Sequence, residues 1–220
     1  MNIQIQNVSV EYQRPILENI DLEIEAGEFV SIVGQTGCGK STLLRLILGE
    51  QIPSRGRVLV GGKERTQPDP TCGYVPQKYS LFPDRTVLGN VTFGLNGRGA
   101  RETALKMIQR TGLKESDAAK YPHQLSGGMQ QRVAIAQALV MNPPVLLMDE
   151  AFSALDPGTR AGMQRLIKEL WEESGTTIVF VTHNTREAAY LGTRVIALAN
   201  RSIALDVSAP AEEELEHVFL

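Results

Sequence analysis

Strand patterns recur along the chain and are separated by helical patterns. Apolar and polar residues alternate at residues 3–10 and again at residues 20–24, which predicts half-buried strands of a small N-terminal antiparallel sheet. Further strands, most of them continuous apolar runs as in sheets buried on both faces, are predicted at residues 29–33, 57–60, 73–77, 145–148, 177–182, 194–199 and 202–207. The mixture of strands and helices predicts an α/β fold.

The strand pattern stops between residues 80 and 121. Residues 86–95 and 100–111 are predicted as helices, and Ser126 is a suitable N-cap for an apolar helix that runs through Leu139. We therefore predict one domain over residues 1–220, with a helical subdomain at about residues 79–137 inserted in the α/β core. The polar segment 63–71 is expected to be a surface loop. The acidic tail from Ser208 is expected to be a frayed helix at best.

Composition restricts the classes of function. The 220 residues carry a net charge of −3 and no basic block, which disfavours nucleic acid as a partner. The longest apolar runs are strand-sized, and the N-terminus lacks the features of a signal peptide, so neither a transmembrane segment nor a signal peptide is expected. Two cysteines make no disulfide framework. A cytosolic protein is expected, and work at a membrane requires another chain as an anchor.

A glycine-rich loop lies between a predicted strand and a predicted helix. Its residues fit the G-x-x-x-x-G-K-[ST] pattern and are Gly34, Gln35, Thr36, Gly37, Cys38, Gly39, Lys40, Ser41 and Thr42. Backbone N–H groups in such a loop surround a polyphosphate; Lys40 is expected to reach the β- and γ-phosphates and Ser41 to bind Mg²⁺. The alternative, a turn that only connects strand and helix, is disfavoured by the full pattern in its strand–loop–helix context. Cys38 is not expected to act as a nucleophile.

Polar side chains follow three other predicted strands. Asp149 and Glu150 end the strand at residues 145–148, and we expect Asp149 to hold magnesium and Glu150 to be the general base. The alternative is a helix N-cap beside a solvated acid. His183 follows the next strand as a candidate γ-phosphate sensor, although a lone histidine is usually structural. Gln77 ends a short strand, where it could touch the magnesium or the attacking water.

Two further features point to a nucleotide. Tyr12 could stack on an adenine, although an ordinary half-buried strand residue is the more common situation. Ser126, Gly127 and Gly128 open a helix whose N-terminus is available to an anion. The chain thus carries two phosphate-binding helix starts.

The order of these motifs resembles the nucleotide-binding domain of ATP-binding cassette (ABC) proteins over essentially the whole chain. Residues 34–42 match the Walker A loop, Gln77 the Q-loop, residues 125–129 the signature, residues 145–150 Walker B, residues 153–156 the D-loop and His183 the switch histidine; Tyr12 takes the position of the adenine-stacking aromatic. The resemblance implies a RecA-like P-loop core that binds and hydrolyses ATP with Mg²⁺. It also implies a head-to-tail dimer in which Ser126, Gly127, Gly128 and Asp156 serve the shared nucleotides.

Within that family the chain resembles importer ATPases of the nitrate/sulfonate/taurine type, on residues 91–95, 121–129 and 148–156. Ala151, Asn184 and Gln137 depart from the usual proline, acid and arginine. The resemblance implies a small anionic or organic solute, a membrane permease, a solute-binding protein, and a peripheral position on the cytoplasmic face of the membrane.

The permease is expected to dock on Tyr79, Leu81, Phe82 and Val87, unless these residues only pack the helical subdomain against the core. Three alternatives to an importer remain open. They are a soluble cassette ATPase acting on DNA or ribosomes, an exporter ATPase, and an ATP-gated dimer without turnover, against which Glu150 and His183 argue.

Overall fold

The computed structural model describes residues 1–78 and 80–209, which form two sheets and the helices around them. The strands are β1 (Ile3–Glu11), β2 (Pro15–Ile24), β3 (Phe29–Gly34), β4 (Arg55–Val60), β5 (Lys63–Glu64), β6 (Cys72–Val75), β7 (Val145–Asp149), β8 (Thr177–Thr182), β9 (Arg194–Ala199) and β10 (Ser202–Ser208). The helices are α1 (Lys40–Leu48), α2 (Val87–Val91), α3 (Ala100–Arg110), α4 (Gly127–Leu139), α5 (Pro157–Ser174) and α6 (Thr185–Leu191), and short 3-10 turns lie at Glu115–Asp117 and Pro122–Gln124.

The smaller sheet is antiparallel, with the strand order β2-β1-β4-β5. Its first strand buries Ile3, Ile5, Val8 and Val10, as the alternation predicts. The alternation skips one position between Ile5 and Val8 because the register shifts there and Asn7 takes a positive φ of 50°. An irregularity of this kind is a bulge, which restores the apolar residues to the buried face.

The larger sheet has the order β10-β9-β3-β8-β7-β6, and all of its pairs are parallel except β10 with β9. Alternate residues of its central strands face two different cores. On one face, Val145 and Leu147 of β7 join α1 and the smaller sheet. On the other, Leu146 and Met148 join α4 and α5. Because both faces are covered, these strands are continuously apolar, as the sequence predicts.

Helix α1 packs between the two sheets. Its Leu43, Leu44, Leu46 and Ile47 are fully buried, and each such side chain stabilises the fold by about 1.5–3 kcal/mol relative to an exposed position. The helix ends at Gly49, whose left-handed φ of 83° lets its N–H cap the last turn through Arg45 and Leu46. This packing fixes the start of α1 at the carboxyl end of β3, where the glycine-rich loop lies.

Helices α2, α3 and α4 follow β6 and precede β7 in the chain, and they enclose a separate apolar cluster. The residues at its centre are Val87, Val91, Ala104, Ile108 and Val133. The predicted helix at 100–111 is confirmed and ends one residue earlier, and the helix capped by Ser126 is confirmed as α4. The prediction of a helix over 86–95 is wrong in length, since α2 ends at Val91 and the Thr92 hydroxyl donates to the Leu88 carbonyl at 2.7 Å.

Two other expectations need correction. Ser208 does not begin the acidic tail, because it is the last residue of β10. Segment 63–71 is not only a surface loop, because Lys63 and Glu64 pair with β4 and Arg65 is 5% exposed. Arg65 forms an ion pair with Asp69 at 2.9 Å, which compensates the burial of its charge. Helix α6 is not predicted from the sequence. Tyr79 and the part of the acidic tail from residue 210 onward lie outside the described residues.

Candidate active site

The glycine-rich loop has a shape that only glycine permits at two of its positions. A Cβ at Gly34 would lie 2.5 Å from Cys38 Sγ and 2.6 Å from the Leu198 carbonyl oxygen. Gly39 has a φ of 107°, and a Cβ there would lie 2.6 Å from Leu17 Cδ2. The half-buried Cys38 therefore folds under the loop against Gly34 and is held as a packing residue. The backbone curves over α1 and leaves the helix N-terminus open.

Lys40 is the first residue of α1 and is 5% exposed. Its ammonium group donates to the Gly34 carbonyl at 2.7 Å and to the Gln35 carbonyl at 3.0 Å. A buried cation with only neutral acceptors concentrates positive potential inside the loop. The loop is therefore built to receive an anion.

Ser41 and Asp149 meet across the gap between α1 and β7. The Ser41 hydroxyl adjoins the carboxylate of Asp149, which is the last residue of β7 and is 5% exposed. Burial raises the pKa of the Asp149 carboxyl above its ordinary value, although the nearby Ser41 hydroxyl opposes that rise. A hydroxyl beside a carboxylate is a hard-oxygen donor set, which suits Mg²⁺.

Glu150 has a backbone conformation that is unusual for a side-chain-bearing residue, with a φ of 45°. Its N–H donates to the Val181 carbonyl at 2.9 Å, which ties the turn after β7 to the end of β8. Left-handed backbone at a non-glycine residue costs about 1–3 kcal/mol and is concentrated at functional sites. The conformation places the carboxylate at the sheet edge.

Two side chains converge on that carboxylate. Gln77 Nε2 donates to Glu150 Oε2 at 2.9 Å, and His183 Nδ1 lies 3.3 Å from the same oxygen. The expected metal contact of Gln77 is thus left to its carbonyl oxygen, because its amide nitrogen has no lone pair for a metal. The structure brings together the polar residues from the ends of β6, β7 and β8, as the sequence predicts.

An open cavity of about 510 Å³ joins the glycine-rich loop to Glu150. It is lined by Arg14, Ile16, Thr36, Gly37, Gly39, Lys40, Ser41, Thr42, Gln77, Glu150 and His183. A cavity of this volume matches those that hold small ligands. Four other predicted residues lie beneath this cavity, where they adjoin Lys40 or Ser41. They are Gly34, Gln35, Cys38 and Asp149.

The segment between β1 and β2 differs from expectation. Tyr12 is not a half-buried strand residue, since it lies in the bend after Glu11 and is 65% exposed. It does not line the cavity, whereas Arg14 and Ile16 do. No local sequence pattern identifies these two residues, because their contribution depends on how β2 passes the loop at Gly39.

The other predicted nucleotide contacts lie outside the cavity. Ser126 caps α4 by accepting from the Met129 N–H at 3.3 Å, and Ser126 and Gly127 are exposed. Asp156 caps α5 by accepting from the Thr159 N–H at 3.0 Å, and hydrogen bonds from Thr159 lower the pKa of its carboxyl. Within one chain these helix starts, including Gly128, do not reach the Lys40 cavity.

A match to the family model described as ABC transporter covers residues 17–153, from β2 through the turn after Glu150. The chain belongs to the ABC transporter family. It is accordingly an ATP-binding subunit with ATPase activity, built on the α/β P-loop fold. No helix among the described residues has both the length and the apolar content of a membrane span.

Curated relatives and solved structures agree with this membership. An uncharacterized ABC transporter ATP-binding protein of Methanocaldococcus jannaschii is 48% identical, over 84% of this chain and 71% of its own. An aliphatic sulfonates import ATP-binding protein of Zymomonas mobilis is 44% identical, over 89% and 80%. A solved ATP-binding cassette, a dimer in a post-hydrolysis state with ADP and phosphate, is 35% identical with a TM-score of 0.87, over 95% of this chain and 99% of that one.

Proposed function

We propose that this chain powers a solute importer, as a peripheral ATPase on the cytoplasmic face of the membrane. We further propose that residues 1–220 form a single ATP-binding domain, with a helical subdomain at about residues 79–137 inserted in the core. The observation that carries the proposal is the convergence of Lys40, Gln77, Glu150 and His183 on one cavity. The transported class, a small anionic or organic solute, is supported by the name of the sulfonate importer relative.

The polyphosphate of ATP lies in the glycine-rich loop in this proposal. Backbone N–H groups of residues 34–42 and the N-terminus of α1 surround the β- and γ-phosphates. When ATP binds, Lys40 exchanges its hydrogen-bond acceptors at Gly34 and Gln35 for phosphate oxygens. Its side chain already points into the loop, so the exchange requires no large change of rotamer. Thr36 and Thr42 line the same cavity and serve the phosphates as hydroxyl donors.

Ser41, Asp149 and the carbonyl oxygen of Gln77 are the residues that would hold magnesium. The fit rests on the proximity of the Ser41 hydroxyl to the buried Asp149 carboxylate, which brings two hard-oxygen donors together. Across residues 1–78 and 80–209 there is no group of three His, Cys, Asp or Glu side chains arranged for a metal. Few protein ligands are the norm for Mg²⁺, which shares its coordination with substrate phosphates and water and neutralises phosphate charge when bound.

Glu150 is the general base that accepts a proton from the attacking water. Gln77 and His183 both contact its Oε2, so the orientation of the carboxylate is set before the water arrives. His183 also faces the cavity, where its ring can contact the γ-phosphate. Positioning and electrostatic stabilisation supply most of the rate enhancement in phosphoryl transfer, which suits this arrangement.

A second copy of the chain completes each site. Ser126, Gly127 and Gly128 form a helix start that is exposed at Ser126 and Gly127 and lies outside the Lys40 cavity, and the exposed Asp156 caps α5. In a head-to-tail dimer, the signature of one copy faces the P-loop of the other. Tyr12 is exposed and lies two residues before Arg14, which lines the cavity, and in this proposal its ring stacks on the adenine.

The import direction is tested by reconstituting the chain with its permease in proteoliposomes that contain ATP. A labelled sulfonate, added outside together with a solute-binding protein, should accumulate inside the vesicles only when ATP is hydrolysed. Glu150→Gln is the control for hydrolysis. Loss of preloaded solute from the vesicles, with no need for a binding protein, would establish export instead.

The permease is proposed to dock on the segment after Gln77, represented among the described residues by Leu81 and Phe82. The expected contact at Val87 is wrong, because Val87 is fully buried in the helical cluster. The side chain of Phe82 packs on Phe93 with ring centroids 4.5 Å apart, and both rings contact the Arg85 guanidinium. Phe93 is 52% exposed, so part of this aromatic cluster remains on the surface. A partner can therefore contact it without unfolding the helical region.

Cysteine crosslinking tests the docking surface. Phe82→Cys in a Cys38→Ser/Cys72→Ser background should crosslink to cytoplasmic loops of the permease, whereas the exposed Lys63→Cys in the smaller sheet should not. Phe82→Asp should uncouple transport while hydrolysis stays measurable. Equal crosslinking at both positions, or loss of folding in Phe82→Asp, would indicate that the cluster only packs the subdomain.

A further inference from the structure

A second, smaller cavity reaches the same catalytic pair. It has a volume of about 90 Å³ and is bordered by Glu150, His183, Thr182, Asn184, Arg160 and Glu187, among others. Of these, Thr182, Asn184 and Glu187 are joined by hydrogen bonds. They surround the turn from β8 to α6, on which His183 is carried.

Glu187 is the centre of that network. Its Oε2 accepts from the Thr182 hydroxyl at 2.6 Å, and its Oε1 accepts from Gln164 Nε2 on α5 at 2.8 Å. Its own N–H donates to the Asn184 side chain at 3.1 Å. One carboxylate thus joins the end of β8, the start of α6 and the middle of α5.

The network fixes the residues on both sides of His183. The Thr182 hydroxyl, which donates to Glu187, also accepts from the Asn184 N–H at 3.1 Å and so closes a tight turn across His183. Thr182 is 2% exposed, so its hydroxyl is oriented by protein partners and not by solvent. Rotation of the Thr182 side chain would break both of these bonds together.

His183 depends on this support because its own ring is little constrained. The imidazole is 63% exposed and meets Glu150 at 3.3 Å, a long contact that a small shift of the backbone would break. The ring position is therefore set mainly by the backbone of residues 182–184. Displacements of about 1 Å in a catalytic arrangement can reduce rate by about a hundredfold.

We propose that Glu187 is a positioning residue for ATP hydrolysis, which holds His183 against Glu150 through Thr182 and Asn184. Gln164 orients the Glu187 carboxylate from α5. The inference rests on the proposed roles of Glu150 and His183. Since α5 begins next to Asp156, the network also joins the switch histidine to the helix that carries this exposed cap.

The test compares substitutions that remove or preserve the network. Glu187→Ala should lower kcat about tenfold with KM for ATP unchanged, because the phosphate-binding loop is untouched. Glu187→Gln should restore most of kcat. Its carbonyl oxygen can accept from Thr182, and its NH₂ can donate to Gln164 once the Gln164 amide reverses. Glu172→Ala, an exposed glutamate on α5, is the matched control and should behave as wild type.

Gln164 supplies an independent variant. Gln164→Ala should lower kcat about threefold, the effect of one lost hydrogen bond, again with unchanged KM. Because Gln164 acts through Glu187, the double variant Glu187→Ala/Gln164→Ala should be no slower than Glu187→Ala alone. If Glu187→Ala does not fold, the kcat and KM of Gln164→Ala decide the matter.

Three results would overturn the proposal: a lower melting temperature of Glu187→Ala with normal kcat, failure of Glu187→Gln to restore kcat, or multiplicative losses in the double variant. His183→Ala separates this inference from the proposed function. If His183→Ala hydrolyses ATP at the wild-type rate, the proposed site is wrong. If His183→Ala is impaired and Glu187→Ala is not, only the positioning role fails.

Discussion

Two helices of this molecule begin in glycine-containing loops that suit a phosphate, yet their surroundings differ. The start of α1 is enclosed: Lys40 is buried, Gly39 is pressed against Leu17, and the large cavity opens directly onto the loop. The start of α4 is open, with Ser126 and Gly127 exposed and with space around Gly128, where the nearest atoms to an added Cβ are 3.6 Å away.

The difference shows what each helix start can do in a single chain. The loop before α1 has the Lys40 cation, the Ser41 hydroxyl beside the Asp149 carboxylate, and the Glu150 carboxylate close by, so most of the groups proposed for hydrolysis lie on this side. The start of α4 offers N–H groups and a dipole but neither charge nor enclosure. The start of α4 gains charge and enclosure only when another surface packs against it, which agrees with the dimer seen for the solved relative.

The largest expected effect falls on the α1 side. Glu150→Gln should reduce kcat by about a hundredfold or more, since it removes the base, while ATP still binds because Lys40 and the loop are intact. Lys40→Ala should lose both hydrolysis and affinity. Titration with a fluorescent ATP analogue, alongside phosphate release, separates the two variants. Glu150→Gln turning over near the wild-type rate would contradict the assignment of the base.

The α4 side can be broken without touching the α1 side. Gly127→Asp puts a negative charge at the first position of α4, which stabilises the helix dipole but repels a phosphate. Hydrolysis should fall strongly while binding of ATP to the isolated subunit persists. Gly127→Asn, neutral and of the same shape, is the control and should retain more activity.

Mixing variants sharpens this test. Lys40→Ala subunits mixed with Gly127→Asp subunits should recover about a quarter of wild-type activity, because half of the dimers are mixed and each has one intact composite site. Recovery would show that α1 and α4 of different copies form one site. No recovery, with dimers verified by light scattering, would contradict a composite site that is formed by α1 of one copy and α4 of the other.

A smaller effect distinguishes two glycines of the same loop. Gly39→Ala should destabilise the fold by about 2–3 kcal/mol, from left-handed backbone together with the clash at Leu17. Gly37→Ala should cost about 1 kcal/mol, because Gly37 also has a positive φ, of 84°, but has no atom within 4 Å of an added Cβ. Urea denaturation measures both; equal losses would show that the contact with Leu17 is relieved by movement.

The smallest expected effect is at Cys38. Cys38→Ser should leave kcat within about twofold of wild type, because the side chain lies under the loop and backbone N–H groups perform the binding. Phosphate release at saturating ATP measures this. A properly folded but inactive Cys38→Ser protein would instead give the thiol a chemical role.

Local sequence determined most of the elements. Continuous apolar runs identified β3, β7 and β8 because a sheet covered on both faces requires them, and the N-cap at Ser126 identified α4. The strand ends then placed Gln77, Glu150 and His183 at one edge, since parallel strands share their carboxyl ends. These inferences depend on short-range periodicity, which a sequence displays directly.

Tertiary structure decided the rest. Helix α6 has seven residues and little apolar periodicity, so only the Asn184-to-Glu187 cap, an amide and an acid three positions apart, could have signalled it. The path of β2 past the glycine-rich loop brings Arg14 and Ile16 into the cavity and leaves Tyr12 outside it. The packing of α5 against the end of β8 brings Glu187 close to the site. Contacts between segments distant in the chain follow from packing, and no local pattern encodes them.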